Sequence, residues 1–281
     1  MILVLGATGT TGGEVARQLI VAGRRPRILV RDPGKARAFE GRADIEVGDL
    51  DSRESMETAM RGVESVYLVS SGPEMVSLER NVLDAAVTAG VRHVVKLSVI
   101  TADAPQFTFA RWHRDAERSL MTSGLAWTMI RPGNFMTNTL GWSATIKAQG
   151  AFHLPTATGR WASIDPADIG AMAVAALTRP GHEGKAYTIT GSASMDGAGY
   201  AAVISRVIGK PVNFVDVPRE KAEQGMMASG MPAAYVAALL DLLDVMKSGG
   251  ANIVTDTIEK VLGRPPVPFE DWVRRNISAF K

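Results

Sequence analysis

The sequence lacks cysteine altogether and contains only four histidines. Without cysteine there are no disulfides, no thiolate metal ligands and no thiol nucleophile. The histidines are scattered, and none stands beside a carboxylate at the spacing of a zinc site, so we predict no bound metal. Hydrophobic residues make up 46% of the 281 residues, which is enough to bury a core without covalent cross-links.

A charge excess and a long apolar run are also absent. The 31 lysines and arginines nearly balance the 29 aspartates and glutamates, so nucleic acid is not a predicted partner. No stretch reaches the roughly 20 apolar residues of a membrane span, because Asp241 and Asp244 interrupt the most apolar late segment. The opening MILVLGA has no cationic start and leads into a glycine-rich turn, which predicts a first strand and a cytoplasmic protein.

Short β-rich runs alternate with stretches of helical period over residues 1–131. The predicted strands are 2–5, 27–30, 45–47, 65–69, 91–97 and 126–130. The predicted helices are 11–23, 52–61, 74–89 and 107–123. This alternation is typical of βαβ units and predicts an α/β fold, a Rossmann doubly wound parallel sheet.

The rhythm breaks after Arg131 into stretches rich in glycine, proline and tryptophan. It returns as a predicted helix at 166–177 and a predicted strand at 186–190. We therefore predict that residues 1–131 and 163–192 form the sheet domain. The remainder, 132–162 and 193–281, is predicted to form a smaller C-terminal cap that binds substrate.

The first strand runs into a GxxGxxG turn that opens a helix. Gly6 permits the tight turn, Gly9 lets the backbone approach a pyrophosphate, and Gly12 lets the helix pack against the strand. The free N–H groups of the helix N-terminus point at the phosphates. Three hydroxyls in the turn are predicted to add donors: Thr8, Thr10 and Thr11. This order of strand, glycines and helix predicts a bound dinucleotide.

The end of the second strand bears on the choice between NADPH and NADH. A carboxylate there accepts from the ribose 2′-hydroxyl of NAD, whereas an arginine pairs with the 2′-phosphate of NADP. Arg31 occupies this position and Lys35 follows closely, so we predict NADPH over NADH. Asp32 leaves two alternatives open: it turns toward the ribose, or it caps the next helix.

Two further strand ends carry predicted cofactor contacts. Asp49 is placed to accept from the adenine amino group while Leu50 packs on the ring, although Asp49 or Asp51 capping the next helix explains the pattern equally well. After the fourth strand, the backbone and hydroxyls of residues 70–72 are predicted to lie along the central sugars. These residues are Ser70, Ser71 and Gly72.

Four segments together resemble the NmrA-like atypical short-chain dehydrogenases/reductases. They are the glycine-rich turn, LVRDP at 29–33, NVLDAAVTAGVRHVVKLS at 81–98 and SGLAWTMIRPGNFMTN at 123–138. The resemblance covers most of the first 180 residues. Relatives in this family include NADPH-dependent quinone oxidoreductases, triphenylmethane dye reductases and a transcriptional co-regulator, so the resemblance implies a fold and a cofactor more firmly than a reaction.

The chain departs from standard short-chain dehydrogenases at their Tyr-x-x-x-Lys pair, where it has Phe109 and His113. Phenylalanine carries no proton, which disfavours ordinary alcohol dehydrogenation and sugar epimerisation. By resemblance, His113 is a candidate catalytic and cofactor-binding residue that hydrogen-bonds the nicotinamide ribose or donates a proton, with Glu117 orienting it. A structural helix pair is the alternative.

The resemblance also assigns residues around the nicotinamide. Ser98 matches the region of the family's catalytic serine, although capping of the following loop is the alternative. Pro132, Asn134 and Phe135 end the sixth strand, where similar proteins contact the nicotinamide; Pro132-Gly133 alone is also an ordinary turn.

The cap region contains many aromatic residues and methionines, which suit a flat apolar substrate. The predicted substrate residues are Phe135, Trp142, Trp161, Met227 and Tyr235. A hydrophobic core uses the same residue types, so that alternative stays open. Segment 222–233 is interpreted as a mobile lid.

The sequence therefore predicts an NADPH-dependent reductase, monomeric or homodimeric, that transfers hydride to a planar conjugated acceptor such as a quinone or an aromatic polyketide. One alternative is a regulatory protein that senses NADP(H) without turnover. A weaker one is a biosynthetic ketoreductase or epimerase.

Overall fold

The computed structural model describes all 281 residues and divides them into two units. The first unit comprises residues 1–104, 110–131 and 166–188, and the second comprises 105–109, 132–165 and 189–281. The predicted boundaries differ at 105–109, 163–165 and 189–192, which belong to the second unit. Close backbone packing holds these segments there: Gly191 lies so near Ser163 that an added Cβ would stand 1.9 Å from the Ser163 carbonyl oxygen.

Nine strands occur along the chain. They are β1 Ile2–Val4, β2 Arg27–Val30, β3 Asp44–Val47, β4 Ser65–Leu68, β5 His93–Leu97, β6 Ala126–Pro132, β7 Ala151–Leu154, β8 Lys185–Ile189 and β9 Asn213–Asp216. Seven of them form one sheet in the order β3-β2-β1-β4-β5-β6-β8, and β1 to β6 pair in parallel. The strand order reverses beside β1, which is the point where open α/β sheets bind ligands.

Eleven α-helices accompany the strands. They are α1 Thr10–Val21, α2 Arg53–Ala59, α3 Met75–Thr88, α4 Thr108–Met121, α5 Ser143–Gln149, α6 Pro166–Thr178, α7 Gly197–Ile208, α8 Arg219–Ala228, α9 Ala233–Lys247, α10 Thr257–Leu262 and α11 Phe269–Arg275. Every predicted strand and helix is present, with each end within two residues of the prediction. None of the helices combines the length and the apolar character that crossing a bilayer demands.

The core of the first unit lies between the sheet and its helices. Strand side chains such as Leu3, Val66 and Val94 are fully buried, and they pack with the apolar faces of α2 and α3. These helices bury residues at helical spacing, for example Val82 and Ala86 on α3. The predicted Rossmann-type α/β fold is therefore confirmed.

The second unit is built around aromatic side chains. Its two-stranded sheet pairs β7 with β9 in parallel, and its buried cluster includes Phe152, Tyr200 and Trp272. Trp161 stacks on Tyr200 with ring centroids 4.9 Å apart. The unit thus has a core of its own, as a separate domain requires.

Replacing Gly12 by alanine is expected to destabilise the protein. An added Cβ would stand 2.3 Å from the carbonyl oxygen of Gly6 and 2.6 Å from that of Leu5. Both are backbone atoms, which cannot move aside as the end of a flexible side chain can. Overpacking of this kind costs about 1–3 kcal/mol. Urea denaturation measures the free energy of unfolding.

Gly225→Ala is the matched control. It lies within α8 with open space around its Cβ position, so alanine there should stabilise the helix by about 0.5–1 kcal/mol. Equal stability of Gly12→Ala and the wild type would contradict the close approach of α1 to the turn.

Candidate functional site

The turn between β1 and α1 has the geometry of a phosphate cradle. Gly6 adopts φ 64°, in the left-handed region that favours glycine, and Gly9 occupies the N-cap position of α1. The first backbone hydrogen bond of α1 joins the Gly13 N–H to the Gly9 carbonyl, so the preceding N–H groups of the first turn are free for an anion. This arrangement fits the pyrophosphate of a dinucleotide.

The three threonines of the turn are not equivalent. Thr8 and Thr10 are exposed, whereas Thr11 is only 5% exposed. The Thr11 side chain is therefore turned into the protein, and this residue has only its backbone N–H to offer a phosphate. The hydroxyl donors of the turn reduce to Thr8 and Thr10.

The end of β2 separates the roles of Arg31 and Asp32. The Arg31 side chain is 82% exposed, and its Nη1 lies 4.0 Å from Oδ2 of Asp49. Asp32 instead caps the following 3-10 helix by accepting from the Gly34 N–H at 2.9 Å. Of the two alternatives for Asp32, a turn toward the ribose or a helix cap, the structure shows the helix cap. Arg31 and the exposed Lys35 are left as the cations at this strand end.

The end of β3 removes the capping alternative for its aspartates. Helix α2 is capped by Ser52, which accepts from the Ser55 N–H at 3.2 Å. Asp49 accepts from the adjacent Leu50 N–H at 2.7 Å, and its side chain remains 42% exposed. Capping by Asp49 or Asp51 is therefore wrong.

A buried ion pair lies beneath the end of β4. The Lys96 ammonium and the Glu79 carboxylate are both fully buried, with Nζ 2.6 Å from Oε1. Ser70 donates its hydroxyl to the same Oε1 at 2.6 Å, while Oε2 of Glu79 is buried without a partner. The Ser70 hydroxyl is thus committed to the protein, and Ser71 and Gly72 present the accessible surface of this segment.

Sequence reasoning missed Glu79, although a signal was present. The residue stands four positions after Met75 and three before Val82, so it falls on the apolar face of α3. A carboxylate on a buried face requires a charged partner. The only lysine on the five-residue strand β5 is Lys96, and it is that partner.

A second buried network joins β5, α4 and β6. Ser98 donates to Oε1 of Glu117 at 2.6 Å, and Arg131 forms two hydrogen bonds to the same carboxylate at 2.9 and 2.8 Å. Arg131 Nη1 also lies 3.0 Å from Asp103, whose side chain is 63% exposed. Ser98 therefore does not cap the following loop. Its hydroxyl instead binds the Glu117 carboxylate on helix α4.

His113 stands apart from this network. Its Nδ1 atom is buried without a hydrogen-bond partner, while the residue as a whole is half-buried. The prediction that Glu117 orients His113 is wrong, because the Glu117 carboxylate is taken by Ser98 and Arg131. Burial, and secondly the charge of Lys96, hold the pKa of His113 well below its ordinary value, so the imidazole is neutral at pH 7.

The residues that follow β6 belong to the second unit. Pro132 is buried, and the Gly133 N–H donates to the Ile189 carbonyl at 2.9 Å. Asn134 donates to Oγ of Ser163 at 3.1 Å and accepts from Asn138 at 2.7 Å. Phe135 keeps part of its ring exposed. The turn is therefore fixed by hydrogen bonds on both sides.

The five predicted substrate residues separate by burial. Trp161 is 2% exposed and stacks in the core, so its assignment to a substrate surface is wrong. Trp142 stacks on Phe152 at 4.0 Å and packs against the same core. By contrast, Met227 and Tyr235 are 47% and 40% exposed. Of the predicted set, Phe135 and Trp142 are half-buried and Met227 and Tyr235 are exposed, so these four keep accessible surface for a ligand.

Comparison with known families identifies the cofactor class. Residues 6–180 match a family model described as NAD(P)H-binding, and they include the glycine-rich turn, Arg31 and both buried charge networks. The chain belongs to this NAD(P)H-binding family.

Relatives of this NAD(P)H-binding protein match it over its whole length. An NAD(P)H azoreductase from Xenophilus azovorans is 38% identical, and the match covers 100% of this chain and 99% of that one. A (4-alkanoyl-5-oxo-2,5-dihydrofuran-3-yl)methyl phosphate reductase from Streptomyces griseus is 37% identical with the same coverage. The NADPH complex of an Escherichia coli quinone oxidoreductase is 27% identical, with a TM-score of 0.90 over 99% of this chain and 100% of that chain.

These comparisons confirm the family resemblance inferred from the sequence. The protein is an NAD(P)H-dependent oxidoreductase, and its relatives include an azoreductase and quinone oxidoreductases. The glycine-rich turn and the strand ends described above are the parts of the chain that fit this cofactor.

Glu79→Gln is expected to lower the free energy of unfolding by about 3–5 kcal/mol, because it leaves the ammonium of Lys96 buried without a counter-charge. Urea denaturation measures the loss. The control Glu57→Gln breaks the exposed pair with Arg53 and should cost less than about 1 kcal/mol.

A double variant separates the charge effect from packing. Combining Glu79→Leu with Lys96→Met removes both charges and should recover most of the stability lost in Glu79→Gln. A loss below about 1 kcal/mol in Glu79→Gln would show that Lys96 has another way to lose its charge.

Proposed function

We propose that this protein is an NADPH-dependent reductase that transfers hydride to a planar conjugated acceptor of the quinone, azo or dye type. The observation that carries the preference for NADPH is the exposed guanidinium of Arg31 at the end of β2, with the neighbouring carboxylate of Asp32 engaged in a helix cap. The acceptor class draws support from the names of the azoreductase and quinone oxidoreductase relatives.

Each strand end of the first unit takes one part of the cofactor in this proposal. The first-turn N–H groups of α1, with Thr8 and Thr10, bind the pyrophosphate. Arg31 and Lys35 bind the 2′-phosphate, and Arg31 is suited to this because its fork of donors matches phosphate oxygens. Asp49 and Leu50 contact the adenine, while Ser71 and Gly72 line the central sugars.

Bound NADPH supplies the hydride, and the residues of the chain orient it. His113, neutral at pH 7, serves as a hydrogen-bonding partner of the nicotinamide ribose rather than as a charged acid. Ser98 holds the end of β5 to Glu117 and so acts as a positioning residue. Pro132, Asn134 and Phe135 contact the nicotinamide ring through backbone, amide and ring.

The acceptor is flat and apolar in this proposal. The residues with accessible aromatic or thioether surface suit an extended conjugated ring, and they are Phe135, Trp142, Met227 and Tyr235. Phe109 cannot transfer a proton, so position 109 supplies no acid of the kind that standard short-chain dehydrogenases use on alcohols and ketones. A cytoplasmic location, a monomeric or homodimeric state and a lid at 222–233 stay predictions.

The test of this function is NADPH oxidation with a panel of acceptors. Binding of NADPH and NADH is measured first, by fluorescence, and a series of quinones, azo dyes and cationic dyes is then added while nicotinamide absorbance is followed. Turnover with NADPH supports the proposal and ranks the acceptors. Tight NADPH binding with no turnover on any acceptor overturns it and favours a regulatory protein that senses NADP(H).

Arg31→Ala is expected to weaken NADPH binding by about 10- to 100-fold, because a charge-assisted contact to the 2′-phosphate contributes about 1.5–3 kcal/mol. NADH has no 2′-phosphate, so its Kd should change by less than about twofold. Fluorescence titration with both nucleotides measures the two constants.

Arg37→Ala is the matched control, since Arg37 is also exposed but lies in the 3-10 helix after the strand end. Its NADPH affinity should stay close to that of the wild type. Equal losses for NADPH and NADH in Arg31→Ala would contradict a contact to the 2′-phosphate.

A further inference from the structure

Two adjacent residues, Thr108 and Phe109, are tied to helix α9 within the second unit. Thr108 donates both its N–H and its hydroxyl to Oδ2 of Asp241, each at 2.7 Å. The Phe109 ring meets the ring of Tyr235 edge-on, with centroids 5.2 Å apart and planes inclined by 61°. Because Tyr235 and Asp241 lie six positions apart on one helix, these contacts fix the position of Tyr235 beside Phe109.

The Tyr235 side chain combines apolar surface with a free proton donor. It is 40% exposed, and its hydroxyl makes no hydrogen bond to the protein. Of the 11 large hydrophobic residues that are exposed, three lie within residues 227–235: Met227, Met231 and Tyr235. Among these three only the phenol can donate a proton.

The acidic residues of α9 are already engaged. Asp241 accepts from Thr108, and Asp244 pairs with Arg219 at 3.0 Å. The phenol of Tyr235, in contrast, is a proton-bearing group of this helix that no protein partner engages.

We propose that Tyr235 is a catalytic residue, whose hydroxyl donates the proton that a neutral acceptor takes up when it is reduced. This inference rests on the proposed function and assigns a role that Phe109 cannot fill. It also specifies the substrate class: acceptors with a carbonyl or azo group, whose heteroatom must be protonated.

A quinone gains one hydride from NADPH and one proton, so NADPH is oxidised and the quinone is reduced by two electrons to the hydroquinone. The O–H bond of Tyr235 breaks, a new O–H bond forms on the acceptor, and water returns a proton to the phenolate. A triarylmethane cation, in contrast, becomes neutral when its central carbon takes up hydride, and it needs no proton.

His113 is the competing proton donor, and the structure disfavours it. Its Nδ1 is buried with no partner, and its environment keeps the ring uncharged. An imidazolium is the form that gives up a proton readily, so a neutral His113 is suited to hydrogen bonding.

The difference between acceptors provides the test. Tyr235→Phe keeps the ring against Phe109 and removes only the hydroxyl. With a quinone, kcat should fall by about 100-fold or more, the usual contribution of a positioned acid. With a triarylmethane cation, kcat should fall by less than about threefold. Tyr187→Phe makes the same chemical change on β8 and should leave both rates close to those of the wild type.

A binding measurement accompanies the kinetics. The oxidised quinone is titrated into each variant in complex with NADP⁺, and quenching of tryptophan fluorescence gives the Kd without turnover. Tyr235→Phe should bind the quinone within about twofold of the wild type, because the ring contacts are retained.

The outcomes separate this inference from the proposed function. If the wild type fails to oxidise NADPH with every acceptor tested, the proposed function itself is overturned. A wild type that reduces the quinone, with Tyr235→Phe unaffected, overturns the inference alone, as does an equal loss with quinone and cation.

If only the quinone is reduced, a kcat loss with unchanged Kd supports the inference, and a matching loss of binding overturns it. If only the cation is reduced, the inference fails.

Discussion

The site depends on the close approach of helix α1 to the turn that follows β1. At Gly12 there is no room for a Cβ, because the carbonyl oxygen of Gly6 would lie 2.3 Å from it. This approach points the first turn of α1 at the carboxyl edge of the sheet. Since β1 to β6 are parallel, their carboxyl ends share that edge, and the residues after β2, β3 and β4 lie along it.

The two buried charge networks support that edge from below. Lys96 with Glu79, and Arg131 with Glu117, connect the ends of β5 and β6 to α3 and α4. Buried ion pairs add little net stability compared with apolar residues of the same size, because desolvation offsets their attraction. Their value here is geometric: Ser70 and Ser98 are each held by one of the two carboxylates. Burial, and secondly the charge of Lys96, lowers the pKa of His113, so this network also contributes to keeping that imidazole uncharged.

Periodicity and glycine punctuation predicted every element of the sheet within two residues, because strand and helix bury their side chains at different spacings. Local choices between near-equal partners were not predictable. Asp32 and Asp49 each had a capping alternative, and only the positions of Gly34 and Ser52 decided between them. Trp161 was predicted to contact substrate but lies in the core. Aromatic residues occur in pockets and in cores alike, so composition does not distinguish the two. Glu79 escaped notice since it stands amid apolar neighbours on α3.

The two units divide the chemistry that a reductase must perform. In the proposed function, the strand ends of the first unit recognise the cofactor, and their residue types follow from the dinucleotide itself. Tyr235 and Met227 of the second unit are proposed to contact the acceptor, so their identities depend on that substrate. With phenylalanine at position 109, proton donation is no longer fixed by the cofactor-binding fold. The need for an acid then depends on the acceptor, because a neutral quinone requires a proton and a cationic dye does not. If the proposed role of Tyr235 holds, proton donation from a phenol on α9, beside exposed methionine, is part of substrate recognition.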